Sequence, residues 1–414
     1  MLEAIGVIYF IYIMSKVYIS VMEVGYVAKA KHHTPVILTL KNYIKAADYK
    51  IAGQRIGMLS SLVDYMLFIF WIGFGLKWLD SAIMIDDMAM KSVVFILAFG
   101  TINYLVNLPF EIYQTFGLDK KFGFSNMNAK LFITDAIKGG VMFLLIGGLI
   151  TWLISLIILN LGNWWLWGFL LIFSLVLIIN IIYPTLIAPL FNKFTILENN
   201  ELNESIQTLL SSVGLKTEGV FTIDASKRDN RLNAYFGGLG KSKRVVLYDT
   251  LIEKLTKNEL LAVLGHELGH FKHKDIIKNI VMTGLLLLAM FAIFGNLPSG
   301  LFDAVGIEKT PYAILAFFML LSPIISFVYM PLFGMVSRRN EYHADEFGAE
   351  CESPVDLANA LQKLANENKS FPKSHPLFTF MYHTHPPLVE RLKKLGMDIR
   401  DDEDKSLQES VATT

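Results

Sequence analysis

Seven stretches of the chain are long and apolar enough to cross a membrane, at about 4–26, 57–79, 92–114, 136–160, 164–189, 277–296 and 311–334. Each approaches the roughly 20 mostly apolar residues that a spanning helix needs. The third, "SVVFILAFGTINYLVNLPFEIYQ", is the least apolar. Asn103, Asn107 and Glu111 recur there every four residues and so lie along one helix face. Such a stripe serves either hydrogen bonds between packed helices or the wall of a water-lined cavity. Pro184, Pro189, Pro323 and Pro331 fall within or at the ends of other spans, where neighbouring helices or water must satisfy the carbonyls they free.

Between the spans the polar positions alternate in sign. The first loop, about 27–56, carries Lys29, Lys31, Lys41, Lys45, Lys50 and Arg55 against Asp48 alone. The second, about 80–91, has Asp80, Asp86 and Asp87 against Lys91, and the third, around "DKKFGFSNMNAK", is basic again. The fourth, "NLGN", is uncharged, and the sixth, about 297–310, sets Asp303 and Glu308 against Lys309. The excess of lysine and arginine on cytosolic loops places the odd-numbered loops inside. The N-terminus is then outside, the C-terminus cytoplasmic, and the long fifth loop (190–276) in the cytosol. The expected layout is five spans over 1–189, a cytosolic segment over 190–276, two spans over 277–334, a second cytosolic part over 335–400 and a flexible tail over 401–414.

Composition agrees with this reading. The 414 residues are 53% hydrophobic and 18% charged, with a mean hydropathy of +0.46. Lys+Arg and Asp+Glu balance at 37 each, so nothing in the overall charge points to nucleic acid. Cys351 stands alone, which excludes an intrachain disulfide. The first residues lack the positive start and small-residue cleavage site of a signal peptide and read as a retained span.

The fifth loop holds the candidate chemistry. "RVVLYD" (244–249) alternates like a strand, and "NAYFGG" (233–238) just before it could pair with it as an edge that holds an extended peptide. Asn233 is there either to bond substrate backbone or as a turn residue. "TKNE" (256–259) is a capping box that starts a helix carrying "LLAVLGHELGH". On it His266 and His270 lie about 40° apart around the axis, so both imidazoles reach one ion, with Glu267 at the spacing of a metalloprotease base. The other reading is a pair of surface histidines.

A catalytic zinc needs a third protein ligand and an open position for water. "SRRNEYHAD" (337–345) follows the seventh span, and a helix continuing from it carries Glu341 and, one turn on, Asp345. Glu341 could complete the site and Asp345 could orient a ligand histidine through its ring N–H; alternatively both acids pair with Arg338 and Arg339. His273 and His343 are weak ligand candidates, and His32 and His33 read as solvated. In "YHTHPPLVERL" (382–392), His385 precedes two prolines that force an extended chain. It is either a donor to a developing oxyanion or a surface histidine.

"PFEIYQTFGLDKKFGF", "TDAIK", "SKRDNRLNAYFGGLGKSKRVVLYDTL", "LGHELGHFKH", "SRRNEYHAD" and "HTHPPLVERL", in this order, resemble the type I CAAX prenyl endopeptidases, integral-membrane zinc metalloproteases of the gluzincin kind. The resemblance runs from about residue 105 to 395. It implies a mainly α membrane protein of seven helices enclosing a chamber, with a small β element in the cytosolic protease domain. It also implies one Zn2+ per chain on His266, His270 and Glu341, Glu267 as general base, Asp345 behind a ligand, His385 near the scissile carbonyl and Asn233 on the substrate strand.

The expected activity is endopeptidase hydrolysis by zinc-activated water. Its substrates would be peptides or proteins, prenylated or, in a cell without prenylation, membrane proteins for processing or disposal. The short sixth loop, and a tail with no reticulum retrieval signal, favour the plasma membrane of a prokaryote over the endoplasmic reticulum. The alternative from another class is a transporter or channel with a structural zinc, for which a closed Cys/His site would speak.

Overall fold

The computed structural model describes residues 2–198, 200–215, 217–238 and 243–399; the expected flexible tail, 401–414, lies outside them. Five long helices come first: α1 (Leu2–Ala30), α2 (Leu40–Ala82), α3 (Met88–Phe122), α4 (Ala129–Asn160) and α5 (Trp164–Phe191). Each is an expected span lengthened by flanking helix-compatible residues. Their outward faces are bare of protein: Val7, Leu59, Leu145 and Leu186, on α1, α2, α4 and α5, are each more than half exposed. Side chains of this size need hydrocarbon around them, and a helix satisfies its own backbone there. The chain is a multi-pass integral membrane protein.

Inward, Tyr9, Phe68, Trp71, Phe95, Phe302 and Phe317 build the core of the bundle, with Tyr9 stacked on Phe68 at 3.8 Å between ring centres. The polar stripe on α3 does both of the things open to it. Asn103 accepts from Trp71 Nε1 at 3.2 Å, and with Asp64 and Glu111 it lines a cavity of about 1030 Å³ between the spans.

The fifth loop folds as a small sheet with helices. Strands β1 (Phe194–Ile196), β2 (Gly219–Ile223), β3 (Ala234–Gly237) and β4 (Arg244–Tyr248) stand in the order β1-β2-β4-β3, with helix α6 (Asn200–Ser212) between the first two in sequence. β3 runs antiparallel to β4, Ala234 opposite Leu247 and Gly237 opposite Arg244. The expected edge strand is therefore an edge. β4 departs from the expected alternation: Val245, Val246 and Leu247 are all fully buried. It is an inner strand covered on both faces, by the helices on one side and by Ile223 and Ala225 on the other.

Helix α7 (Lys257–Lys272) begins at the predicted capping box. Thr256 N–H donates to Glu259 Oε2 at 2.7 Å and Glu259 N–H to Thr256 Oγ1 at 3.4 Å. Lys363 Nζ adds a 2.6 Å bond to the same carboxylate. Burial would raise this carboxyl; Lys363 and the cap bonds outweigh it and hold the pKa below its ordinary value. The folded value lies below the unfolded one, so the stabilisation is present above the unfolded pKa and is lost as pH falls through the folded value. Glu259→Gln is expected to cost about 1 kcal/mol at pH 7, with the gap to wild type narrowing on acidification. Thermal melting in detergent at several pH values measures it.

After α7 come two more membrane helices, α8 (Asp275–Gly295) and α9 (Pro311–Cys351), completing the seven spans in the expected order. The chain closes with α10 (Pro354–Glu367), α11 (Pro376–Tyr382) and α12 (Leu388–Lys394). α9 runs 41 residues, past the membrane and along α7. The two helices touch backbone to backbone. A Cβ on Gly269 would lie 2.8 Å from Ala344 Cα, and one on Gly348 2.9 Å from the Ala262 carbonyl oxygen. Glycine at these two positions permits the approach on which the candidate site depends.

Candidate active site

The helical period stacks His266 and His270 one turn apart on α7, with ring centres 4.9 Å apart and planes at 87°. The close packing of α9 then sets Glu341 against both. Its Oε2 lies 3.5 Å from His266 Nε2 and its Oε1 3.3 Å from His270 Nε2. One donor atom from each of the three residues falls within 4.8 Å of the other two.

Behind each histidine stands a carboxylate. Asp345 Oδ1 is 2.8 Å from His266 Nδ1, and Asp275 Oδ2 is 2.9 Å from His270 Nδ1. Each carboxylate meets a cation in turn: Arg391 spans Asp345 with Nε at 2.8 Å and Nη2 at 2.6 Å, and Lys278 reaches Asp275 Oδ1 at 2.7 Å. Asp275, Lys278 and Arg391 escape sequence reasoning. Asp275 lies five residues beyond His270, just past the helix end, which is the one local signal for it. No periodicity links Arg391 to Asp345 across 46 residues. Arg338 does not pair with Glu341 or Asp345; it donates to the carbonyl oxygens of Thr379 and His383.

The other candidates divide. His385 Nε2 lies 3.2 Å from Glu341 Oε1, with the side chain 63% exposed. Asn233 is exposed at the start of β3, its Oδ1 accepting from Ala234 N–H at 2.9 Å. His273 caps α7 and packs its ring on His343, 5.5 Å between centres, outside the three-residue group. His33, read as solvated, is half-buried. Cys351 faces Gly265 in the seam between α7 and α9.

The charges favour a cation. Burial alone would push the His270 imidazole down, but Glu341 and Asp275 outweigh it and lift the pKa to about 9. Glu341 Oε2 is buried without a hydrogen bond, an arrangement that calls for an ion or water as partner. Each imidazole has a carboxylate beside Nδ1, hydrogen-bonded at His270 and in close contact without a hydrogen bond at His266, and turns Nε2 toward Glu341, which fits the donor set of a catalytic zinc. Glu267 is half-buried. Burial raises its pKa most and the nearby Glu341 adds to that, while the two histidines pull it down. A cavity of about 680 Å³ opens onto Glu267, His270 and Glu341, with Phe236 and Gly237 of β3 in its wall.

Known proteins share this layout. Residues 27–193 match the family profile described as CAAX prenyl protease N-terminal, five membrane helices, and residues 197–398 match peptidase family M48. The CAAX prenyl protease 1 homolog of Arabidopsis thaliana is 35% identical over 328 residues, covering 77% of this chain and 76% of that protein. CAAX prenyl protease 1 of Saccharomyces cerevisiae is 33% identical over 325 residues, covering 74% and 72%. The crystal structure of Ste24p from S. mikatae superposes with a TM-score of 0.85 at 30% identity, covering 94% of this chain and 97% of that one. These matches do not favour the transporter alternative. With seven spans, a cavity between them and an M48 segment on one chain, the protein belongs to the CAAX prenyl protease family and is an integral-membrane metalloendopeptidase.

Proposed function

We propose that the metal is zinc, one per chain, held by His266, His270 and Glu341, and that Glu267 is the general base. The observation that carries this reading is the convergence of those three donor sets within 4.8 Å beside Glu267. Zinc bound there supplies a Lewis acid and lowers the pKa of water from 15.7 toward about 7. Glu267 takes the proton of the attacking water and passes it to the leaving amine. The His385 N–H donates to the carbonyl oxygen as charge develops on it. The free side of β3 pairs with an extended peptide, and the exposed Asn233 amide adds a bond to its backbone. Asp345 and Asp275 hold the two imidazoles in the tautomer that presents Nε2.

The relatives' names include the words CAAX prenyl protease. We extend that to this chain: its substrates include peptides ending in a prenylated cysteine motif. Cleavage of two fluorogenic peptides, one farnesylated and of CAAX type and one unmodified, tests the reading on purified protein with zinc counted by atomic absorption. One zinc per chain with faster cleavage of the farnesylated peptide is expected. One zinc per chain with neither peptide cut would sink the substrate assignment.

The orientation rests on the loop charges: odd loops and C-terminus in the cytosol, N-terminus outside. A C-terminal reporter active only outside the cell would reverse it. The named relatives are eukaryotic, so they lend no support to a prokaryotic plasma membrane over the reticulum.

A further inference from the structure

The two cations behind the site are not equivalent. Lys278 is 44% exposed and meets Asp275 through one oxygen. The Arg391 side chain is 10% exposed, and its planar fork is shared between two carboxylates. Nε and Nη2 grip Asp345 at 2.8 and 2.6 Å, while Nη1 stands 3.6 Å from Glu341 Oε2. That oxygen is the one without a hydrogen bond. A buried guanidinium beside a site for a divalent cation is repelled by it, so a merely space-filling residue there would more easily be apolar.

Arg391 also closes a short segment that presents His385. One end of the segment is held by Arg338, which donates to the His383 carbonyl oxygen at 2.6 Å. The other end is held by Arg391 through Asp345. Val389 and Leu392, neighbours of Arg391 in sequence, are buried in apolar clusters that anchor α12.

We infer that Arg391 is a positioning residue for the metal site: it holds Asp345 against His266 Nδ1 and, facing Glu341 Oε2, orients that carboxylate so that Oε1 stays beside His270 and His385. The inference rests on the zinc reading above. Arginine suits the role because its fork bonds one carboxylate through two nitrogens and still faces a second; lysine is a point charge and does not.

The test is the zinc affinity of wild type, Arg391→Gln and Arg391→Lys, by competition with a chelator. The visible spectrum of the cobalt-loaded proteins and melting of the metal-free proteins accompany it. Arg391→Gln is expected to bind zinc about 10–100-fold more weakly, with an altered cobalt spectrum and a folded protein; Arg391→Lys falls between. A folded Arg391→Gln with zinc affinity within about twofold of wild type and an unchanged cobalt spectrum overturns the inference. Failure of both variants to fold overturns it too, since the residue would then serve the fold and not the site. If wild type itself binds no zinc, the zinc reading falls instead, which separates the two failures.

Discussion

Glu267→Gln is expected to lower kcat/KM on a peptide substrate by about 10²–10⁴-fold, the usual contribution of a positioned base, while zinc content and melting temperature stay at wild-type values. The substitution keeps the shape of the side chain and removes its capacity to take a proton. Glu267 is half-buried on α7 at the edge of the 680 Å³ cavity, and the three residues of the metal group exclude it. Its loss therefore leaves their donor atoms in place. Single-turnover cleavage with atomic absorption on the same sample makes the measurement. Zinc lost together with activity would show that Glu267 binds the metal, and the assignment of base and ligand would have to be redrawn.

Glu341→Ala is expected to act at the preceding step. Its carboxylate faces both Nε2 atoms and is 4% exposed, so its removal leaves the two Nε2 atoms with no carboxylate between them. Zinc affinity should fall by more than the roughly 10–100-fold that loss of an outer partner costs, and turnover should be lost with it. Equilibrium chelator competition is the measurement, with melting of the metal-free protein as the control for folding. A folded variant that kept zinc at wild-type affinity would falsify Glu341 as a ligand and return the search to His385, 3.2 Å away from Glu341.

The seven spans and their order are legible in the sequence, because a bilayer imposes a length and a polarity on each crossing segment that can be read one residue at a time. So is the start of α7: the Thr256–Glu259 box is a bond pattern that spans four residues. The meeting of His266 and His270 follows from the helical period alone. β4 shows the limit of such reading, since its alternation is that of a strand with one wet face, and only neighbours on both sides bury Val245, Val246 and Leu247 together.

By itself, then, the sequence determined a seven-span membrane chain, a capped helix with two histidines and a glutamate on it, and a helix beyond the last span carrying acids. Only the tertiary structure decided that Glu341 meets those histidines, that Asp275 and Asp345 stand behind them, and that Arg391 locks Asp345 from 46 residues away. It also decided that the α3 stripe both bonds Trp71 and faces a cavity. The reason is physical: periodicity and capping act within a few residues. Which acid reaches which imidazole depends on how closely α7 and α9 approach, and that is set by glycines at 269 and 348 meeting backbone from the other helix.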